Sequence, residues 1–171
     1  MADRRLITGR LELRPLPAAA AGALPDDREA ASRILGATLH PDWPQSDLLD
    51  VLPLQASAAR SAECFGVWVI IERETNLVIG DIGFIGPPDD RGSVEVGYSV
   101  IPDRRRRGYA AEAARAMVDW ALHRPSVSVV VAGCDKDNVP SIRTLERIGF
   151  LQTGEADGQI RWRYGRQGEQ G

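Results

Sequence analysis

The sequence contains only two cysteines and two histidines, and none of the four belongs to a metal-binding motif. Cys64 and Cys134 lie far apart without a C-x-x-C spacing, and His40 and His123 form no cluster with them. Because zinc sites need several such ligands at short spacings, the sequence predicts no metal site. Unpaired cysteines are most often small core residues, so we expect both thiols to be reduced and buried.

The sequence also lacks a hydrophobic run that is long enough to cross a bilayer. The longest apolar run, Val127 to Ala132, is interrupted by Ser128, whereas a spanning helix needs about 20 apolar residues. Leu6 and Ile7 are followed at once by polar residues, which leaves no signal-peptide core. We therefore expect a cytoplasmic protein that has no membrane partner.

An excess of positive charge is absent as well, since the formal net charge is −3. Proteins that coat nucleic acid depend on many phosphate contacts, so this balance disfavours a nucleic-acid partner, and any anion site must be local. The 43% of hydrophobic and 26% of charged residues are typical of a globular protein with mixed α and β content. A chain of 171 residues suits one domain, which we place at residues 1–164, with a disordered tail at 165–171.

Periodicity predicts most of the secondary structure. Alternating apolar and polar residues indicate a first strand from Gly9 to Leu16, and two helix-prone stretches follow it. Three strands joined by short turns are expected between Phe65 and Val100. Apolar residues at i, i+3, i+4 and i+7 then predict an amphipathic helix that begins near Gly108.

The last third of the chain predicts one more helix between strands. The β-branched run VSVVVA is typical of a buried strand. Asn138 is expected to cap the next helix, which Gly149 ends, and two strands follow it. The predicted order is therefore β-α-α-β-β-β-α-β-α-β-β.

Four consecutive arginines, Arg104 to Arg107, stand directly before Gly108 and the predicted amphipathic helix. An arginine run alone is usually a solvated face. At a helix start, however, the first N–H groups have no partner within the helix, the helix dipole attracts anions, and glycine permits close approach of a phosphate. The placement predicts an anion site, and the missing G-x-x-x-x-G-K-[ST] motif disfavours a nucleotide triphosphatase.

The segment Arg105 to Ala110 resembles the Q/R-x-x-G-x-G/A signature with which GNAT N-acetyltransferases bind acyl-coenzyme A. VEVGYSVIPD is similar to that family's fourth strand, and DNVPSIRTLERIGF is similar to its N-x-x-S-x-x-x-L-E-x-x-G-F helix. GRLELRPL resembles the opening strand of the branch that contains the ribosomal-protein N-terminal acetyltransferases, the RimJ/RimL-like branch. Four segments in the right order make the resemblance specific, although residues 17–63 contribute little to it.

The resemblance implies a fold and an activity. The fold is α/β (α+β), with a mixed, mostly antiparallel central sheet of about seven strands flanked by about four helices and splayed between strands 4 and 5. The activity is direct transfer of an acetyl group from acetyl-CoA, in a ternary complex and without a metal, to a primary amine on a peptide N-terminus or a small molecule. The family is compatible with a homodimer. A non-catalytic acyl-CoA-binding or regulatory module is the alternative function.

The resemblance also assigns residues. The expected cofactor-binding residues are Tyr98, Val100, Arg105, Arg106, Arg107, Gly108, Tyr109, Ala110, Asn138 and Ser141. The loop residues among them are expected to cradle the pyrophosphate through main-chain N–H groups, while the strand residues pair with the pantetheine arm.

Two catalytic residues are expected, and each has a structural alternative. Glu95 occupies the strand position where similar enzymes carry the base that deprotonates the amine, although it is equally the outward residue of an alternating strand. Many relatives place a tyrosine seven residues after the asparagine, where this chain has Leu145. A tyrosine acid is therefore in doubt, and Ser141 or water is left to assist the thiolate, unless Ser141 only caps the helix.

The acceptor is the part of the reaction that the sequence defines least. Residues 17–63 are expected to build much of the acceptor side, and Asp42, Trp43 and Trp68 are candidates to line it, although aromatic residues are more often core. Peptide N-termini, aminoglycoside-like amines and small polyamines all stay open.

Overall fold

The computed structural model describes residues 5–57 and 65–165, so Cys64 and the predicted tail from residue 166 onward lie outside the described residues. The strands are β1 (Leu6–Ile7), β2 (Leu11–Pro15), β3 (Thr38–Leu39), β4 (Val67–Glu72), β5 (Leu77–Phe84), β6 (Ser93–Val100), β7 (Val129–Asp135), β8 (Leu151–Ala156) and β9 (Gln159–Gly165). The helices are α1 (Ala18–Ala23), α2 (Arg28–Leu35), α3 (Ser46–Ser57), α4 (Tyr109–Leu122) and α5 (Val139–Ile148).

The strands form one mixed sheet in the order β1-β2-β4-β5-β6-β7-β9-β8, with β3 paired to β5. Among the strand pairs of the described residues, β6–β7 and β3–β5 are parallel and the others are antiparallel, which confirms the mostly antiparallel sheet that the resemblance implies. The strand from Gly9 to Leu16 and the three-strand meander from residue 65 are confirmed as β2 and as β4 to β6.

The described residues contain two strands and one helix more than the sequence predicted. The extra strands, β1 and β3, have two residues each, which is too short to show a periodicity. The first helix-prone stretch divides because Pro25 has no N–H to continue α1 and Asp27 caps a new helix, where its carboxylate accepts from the Ala30 N–H at 3.0 Å. At the other end, Gly165 lies in β9 and not in a tail.

One face of the sheet, here called the α4 face, packs on helix α4. The Trp120 ring of α4 lies 5.3 Å from Phe65, 5.4 Å from Trp68 and 6.0 Å from Phe84, measured between ring centroids. Trp68 is 1% exposed and belongs to this core, so the expectation that it lines an acceptor site is wrong. The predicted amphipathic helix is thus confirmed, and its apolar side meets β4 and β5.

The opposite face, here called the α3 face, is covered where the chain enters α3. Trp43 is 1% exposed, and its indole N–H donates to the Asp81 carboxylate of β5 at 3.0 Å. The Ser99 hydroxyl of β6 donates to Gln45 on the same face at 2.5 Å. Trp43 is therefore a core residue and not an acceptor contact, whereas Asp42 is exposed.

Strands β6 and β7 pair over only three positions, Ser93 to Glu95 with Val129 to Val131. Beyond Glu95, β7 continues its pairing with β9 alone, and β6 continues with β5 up to Val100. The gap that opens there confirms the predicted splay between the fourth and fifth strands of the family's sheet. No helix in the described parts of the chain is both long and apolar enough to span a membrane.

Candidate active site

The main chain of β6 directs alternate residues into the gap beside β7. The Glu95 carbonyl accepts from the Ile85 N–H directly after β5, and the Ile101 N–H donates to the Ile79 carbonyl of β5, each at 2.9 Å. Since the direction of the N–H and C=O groups alternates along a strand, Tyr98 and Val100 turn theirs toward β7. The Val100 carbonyl also accepts from Arg105 Nε at 2.8 Å, which folds the start of the following loop back on the strand.

The loop between β6 and α4 has the geometry of an anion cradle. Arg106 has a φ of 64° and Gly108 has a φ of 80°, both in the left-handed region. Gly108 is the N-cap of α4 and offers no side chain to the first N–H groups of the helix, which begin at Tyr109 and Ala110. Backbone N–H groups that converge in this way bind anions, and the helix dipole adds to the attraction.

The four arginines of the loop do not all face this cradle. Arg104 is turned inward, where its guanidinium pairs with Glu72 at 3.0 Å and with Asp103. Arg105 bonds to the β6 main chain, and Arg106 and Arg107 are exposed. The first two arginines therefore fix the loop to the rest of the protein, and the last two leave positive charge exposed at its surface.

Two further arginines that the sequence analysis missed flank Gly108. A Cβ placed on Gly108 would lie 3.4 Å from an Arg10 guanidinium nitrogen and 3.9 Å from one of Arg147. Arg10 donates to the Arg107 carbonyl at 2.8 Å and pairs with Glu112 at 2.8 Å. A groove of about 1040 Å³ runs from this point along α4 and α5. No sequence signal links these residues, because they come together only through the packing of β2 and α5 on α4.

Glu72 is the buried carboxylate that holds both ends of the loop, and the sequence analysis missed it too. It is 4% exposed and accepts from Arg104 Nε at 3.0 Å, from the Tyr109 hydroxyl at 2.9 Å and from the Thr75 hydroxyl at 2.6 Å. Burial by itself raises the pKa of Glu72, but these three donors outweigh it and hold the pKa below its usual value. A charged residue at the end of the apolar run VWVIIE was the available signal.

Glu95 lies on the side of β6 opposite to α4. Its carboxylate is 33% exposed and lies 3.5 Å from an Arg161 guanidinium nitrogen of β9. Gly97, two residues further along the same face, is exposed, and a Cβ built on it would meet no described atom within 4 Å. Glu95 therefore borders open space beside the start of the gap.

Asp81 is a second carboxylate on this face. Asp81 is the cross-strand neighbour of Ser99, and Ser99 is two residues after Gly97 on β6. The Asp81 carboxylate accepts the hydrogen bond from the Trp43 indole N–H. Burial raises the pKa of Asp81 most strongly, the Trp43 N–H lowers it and the charge of Asp47 raises it, so that the pKa lies at about 7. The α3 face thus carries a carboxylate that binds a proton more readily than an ordinary aspartate does.

Ser141 and Asn138 meet the gap from the start of α5. The Asn138 side chain accepts from the Ser141 N–H at 3.2 Å, which confirms the predicted N-cap. The Ser141 hydroxyl lies 3.2 Å from the Tyr98 hydroxyl of β6. The structure therefore brings a strand residue and a helix residue of the predicted site together, with Glu95 on the other face of the sheet.

The comparison with protein families agrees with this geometry. A family model described as an acetyltransferase (GNAT) domain matches residues 10–151. The chain belongs to the GNAT acetyltransferase family. YjdG of Bacillus subtilis (strain 168), an uncharacterized N-acetyltransferase, is 32% identical over 162 residues, which cover 93% of this chain and 96% of that protein. Together, these matches make the chain an N-acetyltransferase.

Solved structures show the same fold for this acetyltransferase. The ribosomal-protein-S5-alanine acetyltransferase of Vibrio fischeri superposes with a TM-score of 0.71 at 17% identity, over 99% of this chain and 100% of that one. RimL, a ribosomal L7/L12 alpha-N-protein acetyltransferase in complex with coenzyme A, gives a TM-score of 0.65 at 17% identity, over 94% and 96% of the two chains.

Glu72→Gln should loosen the loop before α4. An amide cannot accept from all three donors, and breaking a buried charged pair costs about 3 kcal/mol in unfolding free energy. We expect that loss in chemical denaturation and a dissociation constant for coenzyme A that rises at least about tenfold. The matched control is Glu74→Gln in the exposed neighbouring turn, which should change neither quantity. Equal behaviour of the two variants would contradict the anchoring role.

Asp81→Asn should stabilise the enzyme at alkaline pH. Because folding raises the pKa of Asp81 from 3.8 to about 7, its contribution to stability is full below pH 3.8 and is lost as the pH rises through about 7. The melting temperature of the variant relative to the unaltered enzyme should therefore increase from about pH 5 to about pH 8. Asp90→Asn, on an exposed loop, is the control and should show no such trend.

Proposed function

We propose that the enzyme transfers an acetyl group from acetyl-CoA directly to a primary amine, in a ternary complex and without a covalent enzyme intermediate. The observation that carries this proposal is the gap between β6 and β7, which ends at the anion cradle before α4. We further propose that residues 1–164 act as one acyltransferase domain. The cytoplasmic location and the homodimer stay predictions.

The residues of the gap and the loop suit coenzyme A. Tyr98 and Val100 have main-chain groups that point into the gap, as pairing with the amides of a pantetheine arm requires. Residues 105–110 offer main-chain N–H groups and positive charge for the pyrophosphate, and Asn138 and Ser141 flank the opposite wall. Arg10 and Arg147, which flank Gly108, are placed to meet the remaining negative charge of the nucleotide end.

The free-energy cost of deprotonating the acceptor amine decides how strong a base the enzyme needs. Acetyl-CoA supplies a thioester, whose carbonyl carbon takes the amine and whose thiolate leaves. A lysine-type amine costs about 4.6 kcal/mol to deprotonate at pH 7, whereas an α-amine costs about 1 kcal/mol. A carboxylate of ordinary basicity on the acceptor side therefore suffices for a peptide N-terminus.

Glu95 is the proposed proton acceptor. It borders the open space at Gly97 on the α3 face, and its carboxylate is accessible to an amine or to a bridging water. Arg161 lies on the same side and holds the carboxylate at the edge of the gap. Asp81 also lies on this face and is the next candidate if Glu95 proves dispensable.

The acceptor is a primary amine on a peptide N-terminus or a small molecule. The names of two enzymes with the same fold refer to an alanine of ribosomal protein S5 and to the α-amine of L7/L12, which supports a peptide N-terminus and the RimJ/RimL-like branch. The second candidate function is an acyl-CoA-binding module without catalysis. It is favoured by Leu145, which is 1% exposed where many relatives carry a catalytic tyrosine.

Release of free thiol from acetyl-CoA separates the two functions. The purified enzyme is incubated with acetyl-CoA and a panel of peptide N-termini, polyamines and aminoglycoside-like amines, and acetylated products are identified by mass spectrometry. Turnover on at least one amine supports the enzyme. Binding of acetyl-CoA without turnover on any class of amine would favour the module.

Gly108→Val should weaken acetyl-CoA binding. A branched side chain resists the left-handed conformation at φ 80° and intrudes on the arginines beside the cradle. We expect the dissociation constant to rise at least tenfold, which is about 1.4 kcal/mol. Circular dichroism should confirm a folded variant, and Gly86→Val, at a left-handed glycine of an exposed turn, controls for the strain itself. Unchanged cofactor affinity in folded Gly108→Val would refute the cradle.

Glu95→Gln should lower kcat by about 100-fold or more while acetyl-CoA affinity stays close to that of the unaltered enzyme. The amide cannot accept the proton, but it keeps the shape of the side chain and lies away from the anion cradle. Activity should recover at high pH, where the amine deprotonates without assistance. The assignment is falsified if the variant keeps both kcat and the pH dependence with a confirmed acceptor.

A further inference from the structure

The helix position where many relatives place a tyrosine is closed to the gap in this chain. Leu145 is 1% exposed and belongs to the hydrophobic core. Its aliphatic side chain has no proton to give. A proton donor for the leaving thiolate must therefore come from another position in the fold.

The structure offers a different tyrosine, on the strand instead of the helix. Tyr98 is the cross-strand neighbour of Ile82, which in turn is the neighbour of Trp68 on the α4 face. Its hydroxyl reaches Ser141 at 3.2 Å, so the ring extends from β6 to the first turn of α5 beside the gap. Two hydroxyl groups thus meet where the strands part.

Alternation along β6 separates this pair from the proposed base. Glu95 is three residues before Tyr98, and an odd separation places two side chains on opposite faces of a strand. A base is needed on the side from which the amine arrives, and a proton donor on the side from which the thiolate leaves. The strand therefore presents the two groups in the arrangement that acyl transfer requires.

We propose that Tyr98 is a positioning residue for the protonation of the coenzyme A thiolate. The Tyr98 hydroxyl donates a hydrogen bond to Ser141 Oγ and thereby directs the Ser141 hydroxyl into the gap, where Ser141 gives its proton to sulfur. This assignment rests on the proposed function. It replaces the missing helix tyrosine by a pair of hydroxyls contributed from the two sides of the gap.

The step balances in atoms and charge. The acceptor enters as an ammonium and loses one proton to the base, and its nitrogen forms a bond to the carbonyl carbon. The C–S bond then breaks, and its electron pair leaves on sulfur. The Ser141 hydroxyl gives its proton to sulfur and regains one from the acetylated nitrogen, directly or through water, so Tyr98 ends the cycle protonated.

Tyr98 is a lasting hydrogen-bond donor in this environment. Burial raises the pKa of its hydroxyl above the ordinary value, although the Ser141 and Thr144 hydroxyls act in the opposite direction. Cys134 of β7 is the titratable group that acts on it from the neighbouring strand, and it raises the pKa further. The phenol therefore stays protonated throughout the pH range in which a thiol of pKa about 8.5 titrates.

The first test measures the thiol of bound coenzyme A and needs no acceptor. Thiolate absorbance of the enzyme–coenzyme A complex is followed against pH in the unaltered enzyme, in Tyr98→Phe and in Ser141→Ala. If the hydroxyl pair stabilises the thiolate, the bound thiol titrates below free coenzyme A, and both variants move the midpoint upward by about 0.5 pH unit or more, which is about threefold in the ionisation constant. Identical midpoints in all three proteins would overturn the proposal.

The second test uses kcat with a confirmed acceptor. Tyr98→Phe and Ser141→Ala should each lower kcat at least about tenfold with little change in the dissociation constant of acetyl-CoA, and the double variant should lose no more than the worse single one. Tyr164→Phe on β9 is the matched control and should leave kcat unchanged. Independent, multiplicative losses, or a loss of affinity as large as the loss of kcat, would overturn the coupling.

The two proposals fail in different ways. If the unaltered enzyme binds coenzyme A but acetylates no amine, the proposed function fails, and the thiol titration still reports on Tyr98 and Ser141. If the enzyme acetylates an amine while Tyr98→Phe matches it in both measurements, the function stands and the role of Tyr98 is rejected.

Discussion

The early end of the pairing between β6 and β7 is the constraint on which the rest of the site depends. After three paired residues, β7 keeps only β9 as a strand partner, and the edge of β6 beyond Glu95 has no strand beside it, although the Val100 carbonyl accepts from Arg105 Nε. A buried strand edge must find other hydrogen-bond partners, and an extended pantetheine arm with amide groups is a suitable one. The anion cradle lies at the far end of the same edge, so under the proposed function main-chain groups would hold the donor along its length more than side chains would.

Because side chains alternate along a strand, the side chains named in the proposed reaction lie on opposite faces of β6. Glu95 and Gly97 face the open side near Arg161, whereas Tyr98 faces α4 and α5. This alternation is a property of any strand, and the proposed mechanism uses it because β6 borders the gap. In the proposed reaction, the same strand therefore places one group beside the incoming amine and another beside the departing thiolate.

Two carboxylates, the buried Glu72 and the partly buried Asp81, have pKa values that are shifted in opposite directions. Glu72 receives three donors, among them the Arg104 guanidinium, and its pKa is lowered; it is an anchor whose charge is satisfied within the protein. Asp81 receives one indole N–H and lies near Asp47, so its pKa is raised to about 7. No cationic side chain among the described residues pairs with Asp81, and a carboxylate that is removed from water without such a partner lowers the free energy of unfolding at neutral pH.

The sequence by itself determined the elements whose signals are local. The alternation in β2, the amphipathic pattern of α4, the Asn138 cap and the glycine before α4 are visible because period, capping and backbone freedom act within a few residues. Division of the first helical stretch at Pro25 was also encoded there but was missed, and β1 and β3 were too short to be seen. Only the tertiary structure decided which arginines face the cradle, brought Arg10 and Arg147 to Gly108, buried Trp43 and Trp68, and joined Tyr98 to Ser141. These contacts join residues that are far apart in the chain. The residue pattern within one helix or strand does not show which other element it will pack against.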